Sequence, residues 1–380
     1  MPDSNLYIGL MSGTSADSID AALVNLSADQ PQLLATHTVD LTAGSLADQA
    51  QLKAEIHALA SPGNNEIHRM NQLDRTLGQL FAQAANELLA QTQFSATDIA
   101  AIGSHGQTIR HYPSAIDTEF AYTVQVGDPN TIAQLTGIST VADFRRRDMA
   151  LGGQGAPLAP TFHQAAFEKI GLSRAIVNIG GMANITLLPG DDSPLVGYDT
   201  GPGNGLMDKW IRQHQKLDFD DRGHWASQGT VINSLLESLM STPYLAQPAP
   251  KSTGPELFNI EWLNQHMTKL SGASPVDVQT TLMEFTAQTI SQALKSNTPA
   301  LSEVFFCGGG AYNTALIQRL EALLHPKLIA STAELGIPPE WVEAVAFAWL
   351  AKQTIEGKPG NAPSVTGAMQ SAVLGAIYQR

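Results

Sequence analysis

Asp199 stands in the run Gly197-Tyr198-Asp199-Thr200-Gly201-Pro202-Gly203-Asn204, where an apolar stretch gives way to a glycine-proline turn. A carboxylate there can accept a proton from an attacking hydroxyl or water, a role worth about 10²–10⁴ in rate. It can equally cap a following helix, as Thr200 or Asn204 also can. Three glycine-rich turns follow apolar runs: Ser12-Gly13-Thr14-Ser15, Gly180-Gly181 and Gly308-Gly309-Gly310. Glycine lets backbone approach a ligand closely, and successive N–H groups bind anions without a lysine. Any one of these is explained as well by a tight turn; three at matched places point to nucleotide phosphates.

Gly103-Ser104-His105-Gly106-Gln107-Thr108 sets polar donors between glycines and suits a hydroxyl-rich ligand, although a single His is commonly a hydrogen-bonded structural residue. Asp143-Phe144-Arg145-Arg146-Arg147-Asp148 is the one basic run. It reads either as a solvated face or, with Gly152-Gly153-Gln154-Gly155 behind it, as a seat for a carboxylate or phosphate. Asp17, Asp20 and Glu343 either orient a metal-bound nucleotide or are solvated; the metal's own ligands are unknown from the sequence. No GxxxxGK[ST], complete GxGxxG, HExxH or GxSxG occurs, so P-loop, Rossmann, zincin and serine-hydrolase chemistry have no signature.

Elements that must position these residues alternate as in an α/β protein. Strands are expected at Leu6–Met11, Ile19–Leu26 and Leu33–Leu41, then helices at Leu46–Leu59 and Glu66–Ala90. The second helix repeats Leu73, Leu77, Leu80, Phe81, Ala84 and Leu88 at helical spacing. The opening device recurs about 170 residues later, with strands at Ala175–Ile179, Ala183–Leu188 and Leu195–Tyr198. Helices follow at Asn204–His214, Thr230–Met240 and Pro275–Ser296, with Ser241–Glu256 as a polar, proline-rich connection between them. Val304–Phe306 is a buried strand, Asn313–Leu324 a helix, and Pro338-Pro339 opens a helix that Gly357 ends. The repetition suggests a duplicated architecture with a cleft between halves, although any α/β chain of this size can carry two similar hairpins.

The 380 residues exceed one small core and suit two domains. The chain is 43% hydrophobic and 15% charged with 32 glycines, the composition of a folded chain with many tight turns. A net charge of −14 argues against a nucleic-acid-binding surface. Cys307 has no partner for an internal disulfide and fits a reducing compartment. The long charge-free run Met149–Phe167 is broken by glycines and prolines and reads as a loop entering a helix, not a bilayer span. A cytoplasmic location is expected, with no membrane and no nucleic-acid partner.

Together, Gly9-Leu10-Met11-Ser12-Gly13-Thr14-Ser15, Gly103–Thr108, Ala142–Asp148, Gly152–Pro157, Asn178–Gly181, Asp199–Asn204 and Cys307–Ala311 resemble the anhydro-N-acetylmuramic acid kinase family, in order along the chain. That family belongs to the sugar kinase, Hsp70 and actin superfamily. The resemblance implies two ribonuclease-H-like domains around a central nucleotide cleft, 1–173 and 174–365, with a C-terminal helix 366–380 packing back on the first. It implies ATP and Mg²⁺ as cofactors and a small-molecule amino sugar as substrate, and it leaves a homodimer open. The reaction it implies opens the 1,6-anhydro bridge while moving the γ-phosphoryl group to O6, giving N-acetylmuramic acid 6-phosphate for cell-wall recycling.

By the same resemblance Gly13, Thr14, Ser15, Ala16, Asp17, Ser18, Ile19 and Asp20 form the first phosphate loop. Gly180, Gly181 and Asn184 form the second, and Gly308, Gly309 and Gly310 the adenosine-side motif. Asp199 is implied as the base and Glu343 as its assistant, with His105, Gln107, Asp143 and Arg147 on the sugar. Where the family commonly reads Ser-Leu-Asp-Gly, this chain has Ser15-Ala16-Asp17-Ser18, and losing that glycine is expected to restrict the loop. A kinase of another sugar, or an actin- or Hsp70-like ATPase without a sugar, are the competing readings.

Overall fold

A computed structural model describes residues 4–13, 16–28, 30–41, 46–60, 63–113, 121–254, 256–268, 270, 272–297, 301–325 and 327–380, with the side chains of 46–50 apart. The chain divides into two compact units, Met1–Ala166 with Trp341–Arg380, and Phe167–Glu340. The segment returning to the first unit is therefore longer than expected. It includes the helix Val342–Ile355, and its end is a short helix Pro363–Thr366 and a strand Ala376–Tyr378 instead of a helix over 366–380. The expected boundary near 365 fails because that helix is apolar nearly all round and buries its residues in the first unit's core. Among the described residues, no helix is long and apolar enough to cross a membrane.

In the first unit β1 (Leu6–Met11), β2 (Ser18–Asn25) and β3 (Gln32–Asp40) form an antiparallel meander. β4 (Ile99–Ser104) runs parallel to β1 on its other side. β5 (Gln107–Tyr112) and β6 (Tyr122–Val126) pair as a separate hairpin, and β7 (Thr140–Ala142) runs parallel to β4. The strand order is 3-2-1-4-7, with Ala376–Tyr378 antiparallel on the outer edge of β7. Side chains alternate across the sheet. Ile8 and Leu10 join a core with Leu73, Leu77, Phe81 and Leu88 of the helix Glu66–Ala90, while Gly9 and Gly103 face the helix Val342–Ile355.

The second unit repeats the plan. β8 (Arg174–Ile179), β9 (Met182–Leu188) and β10 (Val196–Pro202) are antiparallel neighbours. β11 (Glu303–Cys307) and β12 (Leu328–Ser331) extend β8 in parallel. Its order, 10-9-8-11-12, is the same third-second-first-fourth-fifth sequence found in the first unit. This is the ribonuclease-H-like plan twice over in one α/β chain. The helix Pro275–Asn297 supplies Val278, Leu282, Phe285, Ile290 and Leu294 to this unit's core, beside Leu316, Leu320 and Leu324 of the helix Thr314–Leu324. Both meanders, both long helices and the strand before the triple glycine lie where the sequence pattern puts them.

Candidate active site

In open α/β sheets, ligands bind beyond the carboxyl ends of the parallel strands. In the first unit those ends are Met11, Ser104 and Ala142, and they carry Ser12–Gly13, His105–Gln107 and Asp143–Arg147 directly after them. In the second unit the ends are Ile179 and Cys307, carrying Gly180–Gly181 and Gly308–Gly310. The topology thus gathers each unit's motifs at one sheet edge, which sequence order alone does not.

The first loop is tied down by a residue expected on the sugar. Gln107 is fully buried; its Nε2 donates to Gly13 O (3.1 Å) and Thr108 O (3.2 Å), and its Oε1 lies 2.8 Å from Ser12 Oγ. Thr14 and Ser15 lie outside the described residues. Ala16 is buried with φ 53°, and its N–H donates to Gly13 O at 3.1 Å. The left-handed backbone of this loop therefore falls on Ala16, while Ser18, where the glycine was missed, is ordinary strand paired with Asp40. Ile19 is buried in β2. Asp17 pairs with Lys53, and Asp20 Oδ1 accepts from Thr38 Oγ1 (2.9 Å) and Ser18 Oγ (3.4 Å).

Arg145 is the arginine of the basic run that enters this cluster. Its Nη2 and Nε reach His105 Nε2 at 2.9 and 3.3 Å, and its Nη1 donates to Gly155 O at 2.8 Å. Burial, then the Arg145 charge, hold the His105 imidazole well below its usual range, so it is neutral and accepts through Nε2. Burial lowers Arg145 itself to about 10 against the pull of Glu343 and Asp148, leaving it charged at neutral pH. Glu343 sits in the first turn of the helix Val342–Ile355; burial raises its carboxyl, with Arg145 opposing and Asp20 adding to the rise. His105, Arg145, Glu343 and Asp20 thus form one electrostatically linked group. Arg147 is instead exposed. Asp143 is half-buried in left-handed backbone (φ 62°) with Arg146 at 3.4 Å, and burial raises its carboxyl.

The loop behind the basic run is anchored by Asp148, which is fully buried. It accepts from Gly155 N (2.8 Å), Asn361 Nδ2 (2.7 Å) and Thr366 Oγ1 (2.7 Å). Asp148→Asn turns one acceptor into a donor facing donors and is expected to cost about 1–3 kcal/mol, measured by urea unfolding.

In the second unit two separate motifs become one structure. Gly203 N and Gly205 N donate to Gly181 O (both 3.0 Å), and Asn204 N donates to Gly180 O (2.8 Å). A Cβ on Gly203 would stand 2.3 Å from Gly180 O, whereas at Gly181 it would meet nothing within 4 Å. The close approach that requires glycine is therefore at 203. Gly308 (φ 76°) and Gly310 pack on the end of β8: a Cβ there would lie 2.3 Å from Asn178 Oδ1 and Ile179 Cγ2, respectively. Gly309, between them, has its nearest such neighbour, Asn204 Nδ2, at 4.0 Å.

Asp199 lies within β10, opposite Asn184 on β9, just before a register shift at Gly201. Its Oδ2 accepts from Thr253 N at 2.9 Å, its carbonyl from Tyr244 Oη at 2.7 Å, and its own N–H donates to Lys251 O at 3.3 Å. Burial, reinforced by Glu256 and opposed by Thr253 N–H and Lys251, pushes the carboxyl up to about 7. An acid at that position exchanges a proton near neutrality, as a general base must. Sequence reading missed Lys251, Tyr244 and Thr253 because they lie in the connection taken as polar; its one signal is a Lys between aromatic residues in a chain with few cations.

Comparison with known proteins bears on the whole chain. Residues 5–380 match the family described as Anhydro-N-acetylmuramic acid kinase. A protein of that name from Shewanella pealeana is 48% identical over 377 residues, covering 99% of each chain. Another, from Shewanella sp. strain MR-4, is 50% identical over 372 residues, covering 98% of each. Among solved structures, component A of the Acidaminococcus fermentans (R)-2-hydroxyglutaryl-CoA dehydratase is similar at a TM-score of 0.45 and 12% identity, over 91% of this chain and 96% of that one.

Proposed function

Because the chain belongs to the anhydro-N-acetylmuramic acid kinase family, we propose that it phosphorylates O6 of 1,6-anhydro-N-acetylmuramic acid from ATP while water opens the anhydro ring, in the cytoplasm. The observation that carries the chemistry is Asp199: a carboxyl fixed by Thr253 N–H and raised to about 7. In this reading a water gives its proton to Asp199 and adds to C1. The C1–O6 bond breaks, and O6 attacks the γ-phosphorus as the bridging oxygen leaves with ADP. One added water and one transferred phosphoryl group balance the product, N-acetylmuramic acid 6-phosphate.

The remaining residues position and stabilise. The turns whose exposed glycines are Gly13, Gly181 and Gly309 would each offer backbone to the nucleotide, phosphoryl transfer depending mainly on positioning and charge stabilisation. Arg145 supplies the partly buried positive charge at the first unit's edge, with neutral His105 and Glu343 beside it; these three fit the sugar's anionic and hydroxyl groups. Magnesium commonly keeps several waters and takes one or two carboxylates plus phosphate oxygens. Asp20, at the start of β2 with hydroxyls of Ser18 and Thr38 on one oxygen, fits that donor set. When bound, the ion would neutralise phosphate charge.

Incubation with 1,6-anhydro-N-acetylmuramic acid and MgATP, followed by mass spectrometry in H₂¹⁸O, tests the proposal. The expected product gains one phosphate and one labelled oxygen. Phosphate without water would favour a kinase of another sugar, and ATP turnover indifferent to sugar would favour an ATPase without one.

A further inference from the structure

We propose that Lys251 is a positioning residue for Asp199: a buried ammonium that fastens segment 244–253 over the acid and supplies the positive charge facing it. The proposal rests on Asp199 being the base. Segment 241–256 carries Pro243, Pro248, Pro250 and Pro255 and reads as a polar connection, yet Lys251 is only 9% exposed. Lysine is rarely buried unless its charge is matched. Here Nζ donates to Tyr244 O (3.2 Å) and Leu245 O (3.1 Å), and lies 4.8 and 5.4 Å from the ring centroids of Tyr244 and Tyr198. Carbonyl dipoles and two ring faces thus hold the ammonium in place.

The same segment grips Asp199 from three directions: Lys251 O on its N–H, Tyr244 Oη on its carbonyl and Thr253 N on its carboxylate. Nζ, by binding the carbonyls of 244 and 245 from position 251, closes the loop that carries the first two contacts and leads directly into Thr253, which makes the third. An apolar residue would fill the space between the tyrosines with less desolvation cost, so packing alone does not account for a charge there. The ionisable groups acting on Asp199 are Lys251, Glu256 and Tyr244, with Tyr198 acting on Tyr244, and Lys251 is the cation among them. Burial raises Asp199, Glu256 raises it further, and Lys251 works in the opposite direction.

The test uses the full-length enzyme with Lys251→Met, Lys251→Gln and Lys251→Arg. Gln keeps a donor without charge, so it serves should Met fail to fold. Two readouts are taken: kcat and KM from pH 5.5 to 9.5, and the ¹³C carboxyl resonance of Asp199, assigned by its loss in Asp199→Asn. Removing the charge is expected to move the Asp199 titration and the acid limb of kcat about one pH unit higher. It should lower kcat roughly fivefold at pH 7 with recovery by pH 9 and leave the KM for ATP nearly unchanged. Lys251→Arg should keep both near wild type. A uniform fall in kcat at all pH values with an unmoved Asp199 resonance would overturn the proposal, leaving Lys251 a packing residue. An active Asp199→Asn would instead remove the base reading, while the resonance would still report whether Lys251 acts on the acid.

Discussion

Asp199→Asn is expected to lower kcat by about 10²–10⁴ while leaving the KM values for ATP and sugar nearly unchanged, as measured by steady-state assay with a coupled ADP readout. The amide keeps the shape of the side chain and an oxygen for Thr253 N–H, but takes no proton. A second measurement separates this loss from misfolding. The folded chain holds a proton on Asp199 up to about pH 7, whereas the ordinary carboxyl value is 3.8. Between those values the native state binds more protons than the unfolded state, so this group makes stability fall as pH rises through the window. Asn carries no such cost. The variant should therefore melt above wild type at pH 8 and converge with it toward pH 4. Wild-type kcat should rise through an apparent pKa near 7 as the base loses its proton.

Gly9→Ala is expected to cost about 3 kcal/mol or more, at or beyond the upper end of overpacking penalties, and to lower activity with it. A Cβ on Gly9 would stand 1.7 Å from the carbonyl oxygen of Ala344; one on Gly103 would stand 2.0 Å from that of Phe347. Both obstacles are helix backbone, so no rotamer change relieves them and the helix Val342–Ile355 must lift from β1 and β4. Glu343 rides in that helix's first turn and would leave its place beside Arg145 and Asp20. Gly103→Ala should act in the same direction, and the double variant should cost less than the sum, because one helix displacement serves both. Gly181→Ala, at an exposed turn with open space around it, should change stability by less than about 0.5 kcal/mol. Urea unfolding of the three single variants and the double checks the set.

Much of the fold was legible because its signals are local. The apolar runs of β1, β2 and β8, the helical spacing of Leu73, Leu77, Phe81 and Leu88, and the glycine after the last long helix are properties of neighbouring residues. So is the recurrence of a strand–glycine–strand device, which corresponds to two sheets that share one order over five strands. β7 and β12, at three and four residues, are too short for a periodic pattern and exist because a longer neighbour pairs with them. The return of residues 341–380 to the first unit is likewise invisible locally. What decides it is the fit of the helix Val342–Ile355 against Gly9 and Gly103, more than 200 residues away in the chain.

The sequence by itself determined the chemical inventory: one acid in a glycine-proline turn, three glycine turns, one basic run, and the family those blocks resemble. Only the tertiary structure decided which members share an environment. It put Arg145 rather than Arg147 against His105, gave Gln107 to the first loop, and joined Gly203–Gly205 to the Gly180–Gly181 turn. It also carried Lys251 from a proline-rich connection to the back of Asp199. The reason is physical. Residue type fixes what a side chain can donate, accept or ionise, but burial and the distance to other charges set whether it does so at neutral pH, and both depend on segments that meet only when the chain has folded.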